Sequence, residues 1–139
     1  MSNSLESINL DFDKSFHTVF KKPELIQSFL TKRSNKFDEI IRKEFTRREL
    51  NTDFALVALG GYGRKELFPT SDIDLSIIQF NPKTKKIEDI KDFIGWLWTL
   101  NVKVGHSVRT VKDIENITKS DLKEFTSYLS HRIIFCNKD

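Results

Sequence analysis

Asp72 and Asp74 stand two residues apart in the run Ser71-Asp72-Ile73-Asp74-Leu75-Ser76-Ile77-Ile78. Alternation and β-branched residues predict a strand over Ile73 to Ile78, and on a strand residues i and i+2 share a face. The two carboxylates therefore point the same way, and without a cation they repel each other. Mg²⁺ answers such an arrangement, because it takes carboxylate oxygens together with substrate phosphates. Two ions spanned by shared carboxylates stabilise an attacking oxygen and a departing pyrophosphate at once. The expectation is a Mg²⁺ site in which Asp72 and Asp74 serve as both metal ligands and catalytic groups.

Just upstream, Gly60, Gly61 and Gly63 supply backbone that can take positive φ and approach a ligand closely, so that successive amides point at triphosphate oxygens. Arg64 adds a forked cation for the same phosphates, and Ser71 a hydroxyl donor. Each element has a plainer reading by itself. A Gly-Gly at a strand end is ordinarily a tight turn, and Asp-x-Asp a solvated strand edge. Their combination within residues 60–75, between apolar strands, is what points to nucleotide chemistry.

The elements that must position these groups can be read from periodicity. Residues 1–22 lack a sustained pattern and are expected to form an extended or loosely docked lead-in. Pro23 suits the first turn of a helix, and Leu25, Ile26, Phe29, Leu30, Phe37, Ile40, Ile41 and Phe45 form one apolar stripe at helical spacing. A break is expected near Ser34-Asn35. The run Phe54 to Leu59, punctuated at once by Gly60-Gly61, reads as a buried strand. Asn81-Pro82 closes the second strand. Ile87, Ile90, Phe93, Ile94, Leu97 and Trp98 give another helix, and Val102 to Thr110 a third strand. Asp113 to Ile117 and Asp121 to Phe135 read as helical. The loop between the first two strands is too short and unpatterned for a helical crossover, so the expected fold is α+β, a mixed and partly antiparallel sheet with flanking helices. Residues 23–139 would form one core domain.

Composition excludes several function classes. The chain has 139 residues, 38% of them hydrophobic and 12% aromatic, enough for one buried core. A formal charge of +3 with pI near 9.0 is a mild basic excess that an anionic small ligand satisfies. Arg42, Lys43, Arg47 and Arg48 form the densest basic stretch, read as a solvated helix face, and no nucleic-acid partner is expected. Cys136 is the only cysteine, which excludes an intrachain disulfide framework and fits a reducing cytoplasm. No export signal and no membrane span are apparent.

The segment Gly60-Gly-Tyr-Gly-Arg-x-Glu-Leu-Phe-Pro-x-Ser-Asp-Ile-Asp-Leu75 resembles the signature of the polymerase-β-like nucleotidyltransferase superfamily. It is most similar to the version in the amino-terminal domain of bacterial PII uridylyltransferases. Val104-Gly105-His106-Ser107-Val108-Arg109-Thr110 is similar to a second segment of that family, so the likeness runs from about Phe54 to Thr110 and more weakly to Arg132. The resemblance implies the superfamily's fold, UTP as nucleotide and a tyrosine of the PII signalling protein as acceptor. By itself His106 is a packed or surface histidine. The resemblance makes it a candidate nucleotide-binding residue, with Arg109 as its partner.

Two departures from the family pattern stand out. The superfamily's third acidic residue has no counterpart on the third strand, where Gly105 occupies its place. Near the end, an expected glutamate is a serine in Leu129-Ser130-His131-Arg132. With the apolar ending Ile133-Ile134-Phe135-Cys136, read as an uncovered helix stripe, these features imply a fragment of a larger enzyme. They also keep open a second reading, a catalytically silent module that binds nucleotide or a partner protein.

Overall fold

The computed structural model describes residues 14–137, and the expected lead-in over 1–13 lies outside the described residues. Residues 14–20 are helical, designated α1, where an extended or loosely docked lead-in was expected. Phe16 explains the docking, its ring lying 5.7 Å from Phe29 and 6.3 Å from Phe68. Helix α2 then runs unbroken over Pro23–Arg47, with Pro23 at its start. The expected break at Ser34-Asn35 is absent: Arg33 and Ser34 are packed inside, and Asn35 lies on the exposed face of a continuous helix. Arg33 is buried, places its guanidinium 5.0 Å from the Phe37 ring centre and donates from Nη2 to the Pro69 carbonyl at 3.3 Å.

Four strands follow: β1 Phe54–Leu59, β2 Ile73–Gln79, β3 Val104–Thr110 and β4 Arg132–Phe135. Between them lie the one-turn helix α3 Gly60–Gly63, then α4 Ile87–Trp98, α5 Val111–Ser120 and α6 Leu122–Tyr128. The sheet order is β3-β2-β1-β4. β1 is antiparallel to both neighbours, while β2 and β3, joined through α4, are parallel. The mixed, partly antiparallel sheet of the sequence reading is the observed one.

Residues 132–135, expected to continue a helix, form instead an edge strand on β1. Helix α6 ends at Tyr128, and the turn that follows carries Leu129 N–H to the Thr126 carbonyl and His131 N–H to the Tyr128 carbonyl, at 3.2 and 3.1 Å. Beyond that turn the β-branched Ile133-Ile134 pair suits a pleated surface better than a helix. A register shift opposite Leu56/Val57 sends Ile134 into the core.

Strand alternation divides the sheet into two chemically different faces. Phe54, Leu56, Ala58, Ile73, Leu75 and Ile77 pack with Phe37, Ile41 and Phe45 of α2 and Phe93 and Leu97 of α4 in one buried cluster. Leu59, Val57, Asp74, Ser76, Gly105, Ser107 and Arg109 alternate with these or stand in register with those that do, so they belong to the opposite face. Among the described residues no helix is long and apolar enough to cross a membrane.

A buried polar knot joins the core to the far edge. Asp38 of α2 accepts from Tyr62 Oη at 2.6 Å and from both terminal nitrogens of Arg132 in β4. Arg132 also donates to the carbonyls of Tyr62 and Gly63, at 3.0 and 3.2 Å. Burial first, and the Asp38 charge second, hold the Tyr62 phenol well above its ordinary pKa, so it remains a donor. Removing Asp38 would strand the Arg132 cation. Asp38→Ala is expected to cost about 3–5 kcal/mol, and Tyr62→Phe about 1–3 kcal/mol, in urea denaturation of the two variants. Equal, small losses would show that the knot contributes little.

Candidate active site

The residues singled out in the sequence divide into a central group and an outlying one. At the centre, Leu59 of β1, Asp74 of β2 and Gly105 of β3 form one rung of the sheet, the rung next to the Gly60 turn. Asp74 heads a cleft of about 300 Å³, bordered also by Gly60, Ser107, Glu124, Ser127 and Tyr128. Asp72 sits one residue before β2, half-exposed, with its Oδ2 3.6 Å from Lys103 Nζ. That pair is solvent-exposed and weak.

Glycine is required on both sides of Asp74. Gly60 has φ +57°, in the left-handed region, and a Cβ built there would stand 3.3 Å from Asp74 Oδ2. A Cβ at Gly105 would stand 2.6 Å from Asp74 Oδ1, closer than real contacts allow. Each carboxylate oxygen of Asp74 thus occupies the space that a side chain would take. A side chain at position 105 would have to push the Asp74 carboxylate aside. Burial first, and the nearby charge of Asp72 second, raise the Asp74 carboxyl above its ordinary value. Such a carboxylate calls for a cation.

The floor of the cleft continues as a line of hydroxyls. Ser76, two residues along β2 from Asp74 and fully buried, lies 2.6 Å from Tyr128 Oη and receives Ser107 Oγ at 3.4 Å. Arg109, further along β3 on this face, donates from Nε to Glu124 Oε1 of α6 at 3.0 Å. Glu124, Tyr128 and Ser76 were missed by the sequence reading. Only Ser76 carried a legible signal, since it continues the i, i+2 alternation from Asp74.

Other expected site residues lie elsewhere. Gly63 is a packing glycine, whose Cβ would fall 2.0 Å from the Ser130 carbonyl and 2.9 Å from that of Ala58. Arg64 pairs with Glu66 at 3.0 Å and donates to Ser130 Oγ at 3.2 Å, beside Gly61 rather than over the cleft. Ser71 abuts Asp72, and its amide donates to the Phe68 carbonyl. His106 borders the cleft, but its register partner is Leu75 of the core face, and its ring lies 5.6 Å from Trp98 of α4. The structure does not bring the His106 ring to the Asp74 face.

The donor set fits a divalent cation held in the two-carboxylate manner, with substrate oxygens completing the shell. Among the described residues no group of three or more His, Cys, Asp or Glu side chains converges.

The profile of the family described as "Nucleotidyltransferase domain" matches residues 38–134. The chain is 40% identical over 114 residues to the bifunctional uridylyltransferase/uridylyl-removing enzyme of Cupriavidus metallidurans, covering 81% of this chain and 13% of that protein. It is 38% identical over 125 residues to the enzyme of the same name from Pseudoalteromonas translucida, 88% of this chain and 14% of that one. For the Cupriavidus pinatubonensis enzyme the values are 33% over 134 residues, 96% and 14%. The chain therefore spans about one-seventh of the length of these curated relatives.

The raised Asp74 carboxyl gives a pH-dependent expectation. Its folded value lies above the ordinary 3.8, so the neutral form is favoured in the fold and stability falls as pH rises through the folded value. In metal-free buffer Asp74→Asn is expected to melt with the wild type below about pH 4 and at an equal or higher temperature near pH 7. Mg²⁺ with nucleotide should raise the melting temperature of the wild type and not of the variant. A clear loss in the unliganded variant at neutral pH, with an unchanged ligand shift, would sink the metal assignment.

Proposed function

The chain belongs to the nucleotidyltransferase domain family, and from that premise we propose that it is the transferase core of an enzyme moving UMP from UTP to a tyrosine of the PII nitrogen-regulatory protein. The observation that carries the catalytic part is the Asp74 carboxylate, held between two glycines, raised by burial and by Asp72, and open to a cleft. UTP and PII are supported by the residue likeness of 60–75 and 104–110 to PII uridylyltransferases, and the uridylyl group also by the names of the relatives. Transfer would take place in the cytoplasm, a setting with which the single, exposed Cys136 is compatible.

On this reading Asp72 and Asp74 hold Mg²⁺, which when bound supplies Lewis-acid neutralisation of the phosphates. The backbone at Gly60 and Gly61 lies against the triphosphate, its amides free of any side chain that would block approach. Gly63 serves this indirectly, by letting the turn pack against the Ser130 carbonyl. Arg64 and Ser71 flank the phosphates from the rim, Arg64 by exchanging its Ser130 contact for a phosphate oxygen. The acceptor hydroxyl attacks the α-phosphorus, the bond to the β-phosphate bridging oxygen breaks, and pyrophosphate leaves. His106 and Arg109 border the nucleoside, His106 from the strand edge and Arg109 through Glu124.

A second reading has a specific observation in its favour. Gly105 stands where the superfamily's third carboxylate is expected, and a nucleotide-binding module without transferase activity needs none. Incubation with each labelled nucleoside triphosphate, with and without PII, separates the two. Transfer of label from UTP to PII, reduced at least about 100-fold in Asp74→Asn, is expected if the metal-bound carboxylate stabilises the transition state. Binding of Mg-UTP by calorimetry with no product over hours would instead favour the silent module.

A further inference from the structure

Glu124 borders the cleft that contains Asp74 and is ion-paired with Arg109. Both contacts from Arg109 converge on one oxygen, Nε at 3.0 Å and Nη2 at 2.8 Å from Glu124 Oε1. Oε2 of the same carboxylate takes no hydrogen bond from the described residues, although the side chain is only 24% exposed. Asp121 caps α6 by accepting from the Glu124 amide at 3.1 Å, and Arg109 is fixed by its place in the β2–β3 ladder. The cleft wall therefore offers one open carboxylate oxygen with guanidinium N–H donors beside it.

The position of the pair along the cleft suits a nucleobase. Asp74 is in register with Gly105, and Ile78, four residues on, is in register with Arg109. At roughly 3.3 Å per residue this separates the Arg109 backbone from the carboxylate rung by about 13 Å, and Glu124 reaches back over the interval from α6. With phosphates at Gly60 and Asp74, the sugar and base of the same nucleotide extend toward α6. An acceptor beside donors complements a ring edge in which an N–H stands next to a carbonyl. Uracil presents that edge, with N3–H between two C=O groups. Cytosine presents a bare N3 lone pair where uracil has N3–H, so it meets the carboxylate only in a shifted pose through its N4 amino group, and adenine likewise has only its exocyclic amine to offer. Guanine shares the pattern but must fit a second ring into a cleft of about 300 Å³, small for a ligand site.

We propose that Glu124, held in place by Arg109, is the base-reading residue of this cleft and selects a uracil nucleotide by accepting its N3–H. The inference rests on the nucleotidyltransferase reading of the site and adds the group that would set its base preference. A site built around such a contact rejects the analogue that leaves it unpaired far more strongly than a hydrophobic wall does.

Titration calorimetry with Mg-UTP, Mg-CTP and Mg-GTP on the 139-residue chain tests this. The wild type is expected to prefer UTP over CTP by roughly 10- to 100-fold, the range for a hydrogen bond to a charged group. In Glu124→Gln the amide can turn its NH₂ toward N3 of cytosine, so affinity for UTP falls, affinity for CTP rises and the ratio approaches one. Loss of a merely structural ion pair would lower both affinities together and leave the ratio unchanged. Arg109→Lys, which keeps the charge and loses the fork, is the second variant and is expected to reduce the ratio in the same direction. Equal wild-type affinities for UTP and CTP, or a ratio unmoved by either variant, would overturn the assignment of Glu124 and leave the transferase reading standing. Failure of the wild type to bind any Mg-nucleoside triphosphate would remove both.

Discussion

The structure depends on a single buried carboxylate, Asp38, which neutralises Arg132 and takes the Tyr62 hydroxyl in the same step. A carboxylate and a guanidinium withdrawn from water are costly unless each is paired and its remaining hydrogen bonds are met. Here the leftover donors of Arg132 reach the Tyr62 and Gly63 carbonyls, and its guanidinium lies 5.2 Å from the Tyr62 ring centre. One knot thereby ties helix α2, the glycine turn and the edge strand β4. Arg42, donating to the Ile134 carbonyl at 3.0 Å, makes a second tie between α2 and β4. The turn that leads into the Asp74 cleft is thus anchored from behind, by groups with no chemical role of their own.

From that anchored turn follows the crowding around Asp74. Gly63 has no Cβ because the Ser130 carbonyl stands where it would be. Gly60 and Gly105 have none because Asp74 stands there. Three glycines that look alike as flexible punctuation therefore serve different purposes. One lets the turn pack against the β4 approach, and two leave room for a carboxylate that a larger neighbour would displace. The same crowding desolvates Asp74, and burial together with the nearby charge of Asp72 disfavours its ionised form.

The sequence made the sheet and the central carboxylates legible because their signals are local. Alternation over 73–78 and the apolar run over 54–59 each specify a strand without reference to anything distant. The errors arose where tertiary contacts override local pattern. Ser34-Asn35 reads as a break, yet Arg33, Ser34 and Asp38 are buried partners of a continuous α2. Ile133-Ile134-Phe135 fits a helix stripe, and only pairing to β1 makes it a strand. His106 sits in a segment of family likeness, and strand parity brings its ring to Trp98 while the residue still borders the Asp74 cleft, a placement the segment alone does not reveal. Glu124 lies 50 residues from Asp74 in sequence and on a short helix, so no spacing rule connects it to the cleft.

Arg64 shows how one substitution redistributes charge at the rim of such a site. Its neighbour across the turn is Ser130, in the place where the related uridylyltransferases are expected to carry a glutamate. A glutamate there would complete a strong fork-to-carboxylate pair. Serine gives a single hydrogen bond at 3.2 Å, leaving Glu66, a half-exposed partner on the same loop, as the only ion pair that Arg64 makes among the described residues. An exposed pair of this kind is worth little, so the guanidinium is held only lightly. It lies beside Gly61, with Nη2 3.8 Å from where a Cβ would be. A lightly held cation next to the glycine turn loses little when it leaves its resting partners for an incoming phosphate. If Arg64 takes the phosphate role proposed above, the serine lowers the cost of recruiting it, whereas the anchoring of the turn by Asp38 and Arg132 is unaffected by it.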